Sequence, residues 1–206
     1  RPTVKENITL SLQRLAHSLL AFPSTTQTVE SLYHWLSSKG VLPDHNLKAK
    51  DIPVAPNRFF RRMGPGQARA GLRNVRRLGK NIQHRLWMTS LYETLLAERG
   101  WPVSPSPEGQ IPVLVRYPVR VADKERAIHT ARERKLEIGT WFDCPLHQIR
   151  TDLNVYDYLP GSCPVAETIS RQVVNLPLHP RTNEHLAHQC IELVTEIGPA
   201  PELAKQ

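Results

Sequence analysis

Basic side chains are concentrated in one stretch of this 206-residue sequence. No Asp or Glu occurs between Arg58 and Arg85, and the positive charges of that stretch account for the formal net charge of +8. At this density they form either a phosphate-binding surface, for nucleic acid or a phosphorylated ligand, or a solvated helix face that meets an acidic partner. The nine residues are Arg58, Arg61, Arg62, Arg69, Arg73, Arg76, Arg77, Lys80 and Arg85.

Other reactive side chains lack the spacing that chemistry requires. His185 and His188 follow Glu184 on a predicted helix, but a three-residue spacing with one carboxylate favours a solvated face over a metal site. The three cysteines are widely spaced and form no CxxC pair, which predicts reduced thiols in a cytoplasmic protein. No P-loop, GxGxxG, GxSxG or HExxH motif occurs. We therefore predict no metal ligand and no catalytic residue from these patterns.

The basic residues lie on a segment with helical periodicity. Apolar residues recur every three to five positions from Leu72 to Leu95, which gives the segment one apolar and one polar face. Pro65 suits a first helical turn, and Gly100 can adopt the left-handed conformation that ends a helix. The sequence predicts one long basic helix, within residues 59–100, that connects two bodies of structure.

The N-terminal residues 1–58 are predicted to contain two helices and a connector. Apolar residues at helical spacing indicate one helix over residues 3–21 and a second between Ser24 and Gly40. A proline-rich segment without periodicity follows. No apolar run approaches the roughly 18 residues needed to cross a membrane, so no membrane association is expected.

Residues 101–197 alternate between strand and helix patterns. We predict a strand from Gln110 to Val121, in which Pro118 requires an edge position or a bulge, and a helix capped by Asp123. A short strand over 136–139, a helix from Pro164, a strand over 173–176 and a helix from 183 to 197 capped by Thr182 follow. This order predicts an α+β domain with a small sheet covered by helices, and then a tail over residues 198–206. The residues predicted to be buried are Val113, Val115, Val119, Ile128, Val174, Leu176, Leu186 and Leu193.

Three segments resemble landmarks of the DegT/DnrJ/StrS-type aminotransferases and occur in the family's order. The first combines RRMGPGQARAGLRNVRRL at 61–78 with HRLWMTSLYETLLAERG at 84–100. The second is VRYPVRVADKERAIHTARERKLEIGTWFDCPLH at 115–147, and the third is CPVAETISRQVVNLPLHPRTNEHL at 163–186. Together the resemblance covers residues 55–197.

The resemblance implies a pyridoxal-phosphate enzyme of fold type I. Such enzymes use a lysine that forms a Schiff base with the cofactor. The family implies a keto-sugar carried on a nucleotide, or a similar carbonyl compound, as substrate. It also implies glutamate as amino donor and a homodimeric assembly.

The sequence departs from a complete family member at the lysine. The resemblance places the Schiff-base lysine upstream of the Arg-Met pair, in a large domain with a seven-stranded sheet. The lysines before residue 61 are Lys5, Lys39, Lys48 and Lys50, and none has the serine-rich, Gly-Gly-flanked setting. We therefore expect this chain to be the small C-terminal domain with its connecting helix, without the large domain. We expect it to bind no pyridoxal phosphate and to be inactive alone.

One arginine and two histidines fall on family positions. Arg62 matches the arginine of an Asn-aromatic-Arg-Met pattern, which implies a substrate-binding residue that reaches the neighbouring subunit. Phe60 and Arg61 replace the asparagine and the aromatic residue of that pattern. His147 and His179 match family loops, where we expect them to order the loops by hydrogen bonding.

Two alternative functions remain open from the residues alone. One is a nucleic-acid-binding module built on the basic helix, which is disfavoured because no aromatic residues are interleaved for base stacking. The other is an interaction subunit that completes the active site of another chain.

Overall fold

A computed structural model describes residues 8, 11–12, 15, 35, 63–103, 109–146 and 153–202 of the chain. The chain divides into two compact units, Arg1–Gly79 and Lys80–Gln206. Helices and a small sheet are both present, which confirms the predicted α+β class. None of the described helices is both long and apolar enough to cross a membrane.

The first unit contains helix α1, Pro65–Arg76. Pro65 occupies the first turn as predicted, and the Gln67 side chain accepts a hydrogen bond from the Gly64 N–H at 2.9 Å. No residue of α1 is buried. Five residues of the segment 1–62 are described, and all five are helical: Ile8, Ser11, Leu12, Leu15 and Trp35. The rest of the two predicted N-terminal helices lies outside the described residues.

Where one long helix was predicted, the structure has two. Helix α2, Leu78–Ala97, follows α1 after a turn at Arg77, whose N–H donates to the Asn74 carbonyl at 3.1 Å. Gly79 has a low helix propensity, and the adjacent positive charges repel one another, so a continuous helix is least stable at this point although the apolar periodicity continues through it. Helix α2 ends as predicted, with Gly100 at a φ of 70°.

The sheet of the second unit has two antiparallel strands, β1, Arg116–Arg120, and β2, Val173–Pro177. Pro118 lies opposite Asn175, whose N–H and carbonyl both pair with Gly139 on the other edge of β2. The N–H that Pro118 lacks is therefore not needed for the sheet, which explains how this proline fits within a strand.

Three helices and a 3₁₀ turn complete the unit. The helices are α3 (Lys124–Glu133), α4 (Pro164–Gln172) and α5 (Glu184–Ile197), and the 3₁₀ turn is Leu153–Tyr156. Asp123 caps α3 as predicted, because its side chain accepts a hydrogen bond from the Arg126 N–H at 2.9 Å. Helices α3 and α5 contact each other and β2. The core combines α2, the strands, α3 and α5; its fully buried members include Met88, Tyr92, Val174, Leu176, Ala187, Ile191 and Leu193.

The first predicted strand is shorter than expected, so part of the predicted core is wrong. Strand β1 begins only at Arg116, and Val113 and Val115 are 45% and 64% exposed. Strand β2 ends at Pro177, opposite Arg116, so residues before 116 have no partner strand. Of the other predicted core residues, Val119, Val174, Leu176 and Leu193 are buried, whereas Ile128 and Leu186 are half-buried.

Three smaller expectations also differ. The predicted strand over 136–139 is reduced to a single bridge between Gly139 and Asn175. Asn183, not Thr182, caps α5, because its side chain accepts a hydrogen bond from the Leu186 N–H at 2.9 Å. The first residues of the predicted tail pair along the outer edge of β1, where Val121 bridges Pro199.

Candidate functional site

Two of the residues singled out from the sequence, Arg62 and His147, lie outside the residues that the structure describes. His179 is described, and it lies in the turn between β2 and α5. On α5, His188 Nε2 lies 4.0 Å from Glu184 Oε1, and no group of three or more metal-ligating side chains occurs in the described ranges.

His179 and Glu137 form a partly buried pair. The His179 Nε2–H donates to Glu137 Oε2 at 2.8 Å, and the two side chains are 29% and 16% exposed. The other ring nitrogen, Nδ1, accepts the Arg181 N–H at 3.2 Å, which fits the neutral Nε2–H tautomer. Both ring nitrogens of His179 are therefore engaged within the chain, and the imidazole joins the β2–α5 turn to Glu137.

Two further residues fix this pair from either side. The His84 Nε2–H donates to the His179 carbonyl at 3.1 Å, which joins α2 to the β2–α5 turn. Arg116 Nη1 lies 3.6 Å from Glu137 Oε1, at the start of β1. The network therefore joins α2 to the β2–α5 turn through the His179 carbonyl, and joins β1 to the same turn through the Glu137 carboxylate.

The electrostatic environment of Glu137 favours its charged form. Burial, the largest single influence, raises the pKa of Glu137. The hydrogen bond from His179, the electrostatic interaction with His179 and the positive charge of Arg116 together outweigh burial and lower the pKa of Glu137 below its ordinary value. Burial raises the pKa of the nearby Cys190 thiol to about 12 and also raises the pKa of the Tyr92 hydroxyl. The Tyr92 hydroxyl donates to the Pro177 carbonyl at 3.0 Å and has a structural role.

The segment that follows Glu137 is held by a buried amine. Lys124 is only 6% exposed, and its Nζ donates to the carbonyls of Thr140, Phe142 and Ser170 at 3.0, 2.9 and 2.8 Å. The Asn175 side-chain amide donates to the Trp141 carbonyl at 2.8 Å. Main-chain carbonyls from residue 139 to residue 142 are thus each bound by β2 or by Lys124.

Trp141 and Gly139, both in the segment 137–143, lie against the Arg116 side chain. The Arg116 guanidinium lies over the Trp141 ring, 5.8 Å from its centroid. A Cβ at Gly139 would lie 3.2 Å from Arg116 Nη1 and 3.3 Å from Asn175 Cβ. Glycine at this position therefore permits the close approach of the segment to both residues.

The sequence interpretation did not identify Arg116, Lys124, Glu137 or Gly139 as site residues. Lys124 carried a weak signal, because a lysine in the first turn of a helix lies unfavourably at the positive end of the helix dipole. The other three gave none, because their partners are distant in sequence.

Comparison with known proteins gives a match at the level of a family. No curated protein gives a significant match to the chain. The sequence profile of the DegT/DnrJ/EryC1/StrS aminotransferase family matches residues 36–195, which is most of the chain. The match includes every residue of the His179–Glu137 network and the segment held by Lys124. The chain therefore belongs to the DegT/DnrJ/EryC1/StrS aminotransferase family.

Proposed function

We propose that this chain forms the small C-terminal domain of a pyridoxal-phosphate-dependent aminotransferase of fold type I. Its substrate class would be a keto-sugar or similar carbonyl compound, with glutamate as amino donor in a homodimeric cytoplasmic enzyme. The observation that carries the proposal is the family match over residues 36–195. The second unit supports it, because there the matched segment folds around a continuous core.

We also propose that the chain by itself forms no Schiff base with the cofactor. A Schiff base with pyridoxal phosphate requires an accessible lysine amine that can lose its proton. Among the described residues, Lys124 is buried and its ammonium donates to three carbonyls, while Lys80 and Lys135 are exposed surface residues. These lysines do not fit a cofactor site, so no step of transamination is assigned to them.

The network around Glu137 supports a positioning role for the domain. Both ring nitrogens of His179 and all the described hydrogen bonds of Lys124 are directed to groups of this chain. These polar groups hold the 137–143 segment and the β2–α5 turn in one arrangement. In the proposed enzyme the domain presents a rigid surface, and the lysine chemistry is supplied by other residues.

Titration with pyridoxal phosphate, followed by borohydride reduction and peptide mapping, tests the proposal. We expect low, scattered labelling of exposed lysines and no stoichiometric adduct. A known pyridoxal-phosphate aminotransferase treated in parallel serves as the positive control. A reducible adduct at one lysine of this chain, formed in a one-to-one ratio, would contradict the proposal that it lacks a cofactor lysine.

A further inference from the structure

Helix α1 carries two parallel stripes of exposed side chains. Arg69, Arg73 and Arg76 are spaced four and three positions apart, so they lie along one face of the helix. The second stripe, offset by about 100° of helical rotation, contains Leu72 and Val75, which are 54% and 67% exposed. Because α1 has no buried residue, both stripes lie on the surface of the first unit.

The arginine stripe has no acidic counterpart in its own part of the chain. No Asp or Glu occurs between Asp51 and Glu93. The ion pairs of the described residues involve other side chains and none of the three arginines. Like charges three and four positions apart destabilise a helix, and an anionic partner would relieve that repulsion.

We infer that α1 binds an acidic protein surface on which carboxylates flank an apolar centre. Guanidinium groups match carboxylates with two parallel hydrogen bonds, and arginine is enriched at protein interfaces. Leu72 and Val75 add an apolar contact beside the charges, which the phosphate backbone of a nucleic acid cannot use. The stripes therefore fit a partner with both acidic and apolar side chains better than a nucleic acid.

Two other occupants fit the same surface less well. An anionic membrane requires a broad apolar face, whereas α1 offers two aliphatic side chains and has glycine at positions 66 and 71. A second copy of this chain carries the same net charge of +8, so the two copies repel each other at low salt. The inference concerns binding alone and does not depend on the proposed transaminase role.

Fluorescence anisotropy with the full chain tests the inference. The probe is a labelled synthetic helix with glutamate and leucine at helical spacing, compared with a scrambled peptide of the same composition. We expect the helical probe to bind more tightly than the scrambled one. The substitution R69Q/R73Q/R76Q should weaken binding by about tenfold or more, and L72S/V75S by several-fold. Because none of these residues is buried, circular dichroism should show folded variants.

A matched variant separates the stripe from net charge. R132Q/K135Q/R171Q removes three positive charges from exposed positions elsewhere and should change the affinity by less than about twofold. The inference is overturned if the probe does not bind, or if this variant weakens binding as much as the α1 variant. It is equally overturned if a single-stranded oligonucleotide or phosphatidylserine vesicles bind in preference to the probe, or if sedimentation shows a dimer that excludes it.

Discussion

The imidazole of His179 donates its Nε2–H to the carboxylate of Glu137 at 2.8 Å, across 42 positions of sequence. Arg116 approaches the same carboxylate at 3.6 Å, and His84 binds the carbonyl of His179 at 3.1 Å. Three separate elements therefore meet at one partly buried hydrogen-bonded pair. The lowered pKa of Glu137 makes the stability of the second unit dependent on pH.

Replacement of Glu137 by glutamine should lower stability at neutral pH. Glutamine retains an acceptor for the His179 N–H but removes the charge that faces Arg116. We expect a loss of about 1 kcal/mol in unfolding free energy, a small value because water screens part of the interaction. Urea unfolding followed by circular dichroism measures the change.

The pH dependence of this effect follows from the lowered pKa of Glu137. A carboxylate with a lowered folded-state pKa stabilises the protein above its unfolded pKa, about 4.3, and this contribution is lost as the pH falls through the lower folded-state value. Native protein and Glu137→Gln should therefore converge in stability in acid. The exposed Glu133→Gln variant is the control. A difference that stays constant down to the acid limit would show that charge is not the cause.

Replacement of Lys124 by methionine should destabilise the second unit strongly. The change leaves the carbonyls of Thr140, Phe142 and Ser170 without their donor, and the bond to Ser170 is buried. We expect a loss of about 2–4 kcal/mol in unfolding free energy. Lys80→Met, at an exposed position on α2, should remain within about 0.5 kcal/mol. Equal effects of the two substitutions in denaturant unfolding would contradict a supporting role for the buried amine.

A methyl group at Gly139 should separate the 137–143 segment from its neighbours. In Gly139→Ala the new Cβ would lie 3.2 Å from Arg116 Nη1 and 3.3 Å from Asn175 Cβ, closer than ordinary contact. We expect a loss of about 1–3 kcal/mol in unfolding free energy. Gly79→Ala is the matched control, because no atom lies within 4 Å of its added Cβ and alanine favours a helix. If thermal unfolding shows the same shift for both, the close approach at Gly139 is not important for stability.

Local signals in the sequence were sufficient to predict where most of the helices begin or end. Asp123 marks the start of α3, Pro164 lies in the first turn of α4, and Gly100 ends α2. Each signal depends on main-chain hydrogen bonds or backbone angles within a few residues, so it can be interpreted without the fold. Strand β2 was also predicted at its observed position, and all five of its residues are buried.

The candidate site could not be predicted, because it depends on contacts between distant residues. Glu137 acquires its partners only when β2 brings His179 beside the bridge at Gly139. The start of β1 was missed for a related reason, since the alternating pattern continues before Arg116 but the partner strand ends at Pro177. A strand pattern gives the face on which each residue lies, whereas the length of the strand is set by its partner.

A pair of aspartate substitutions tests this correction of the core. Val174 and Val115 were both predicted to be buried, but Val174 is fully buried on β2 whereas Val115 is 64% exposed before β1. Val174→Asp would bury an unpaired charge among apolar side chains and should cost several kcal/mol, about 4 or more, or prevent folding. Val115→Asp should stay within about 0.5 kcal/mol of the native protein. Thermal unfolding of both variants measures the difference, with Val174→Ala as a milder change in the core. A large loss of stability in Val115→Asp would mean that the strand extends to residue 115, as the sequence pattern predicts.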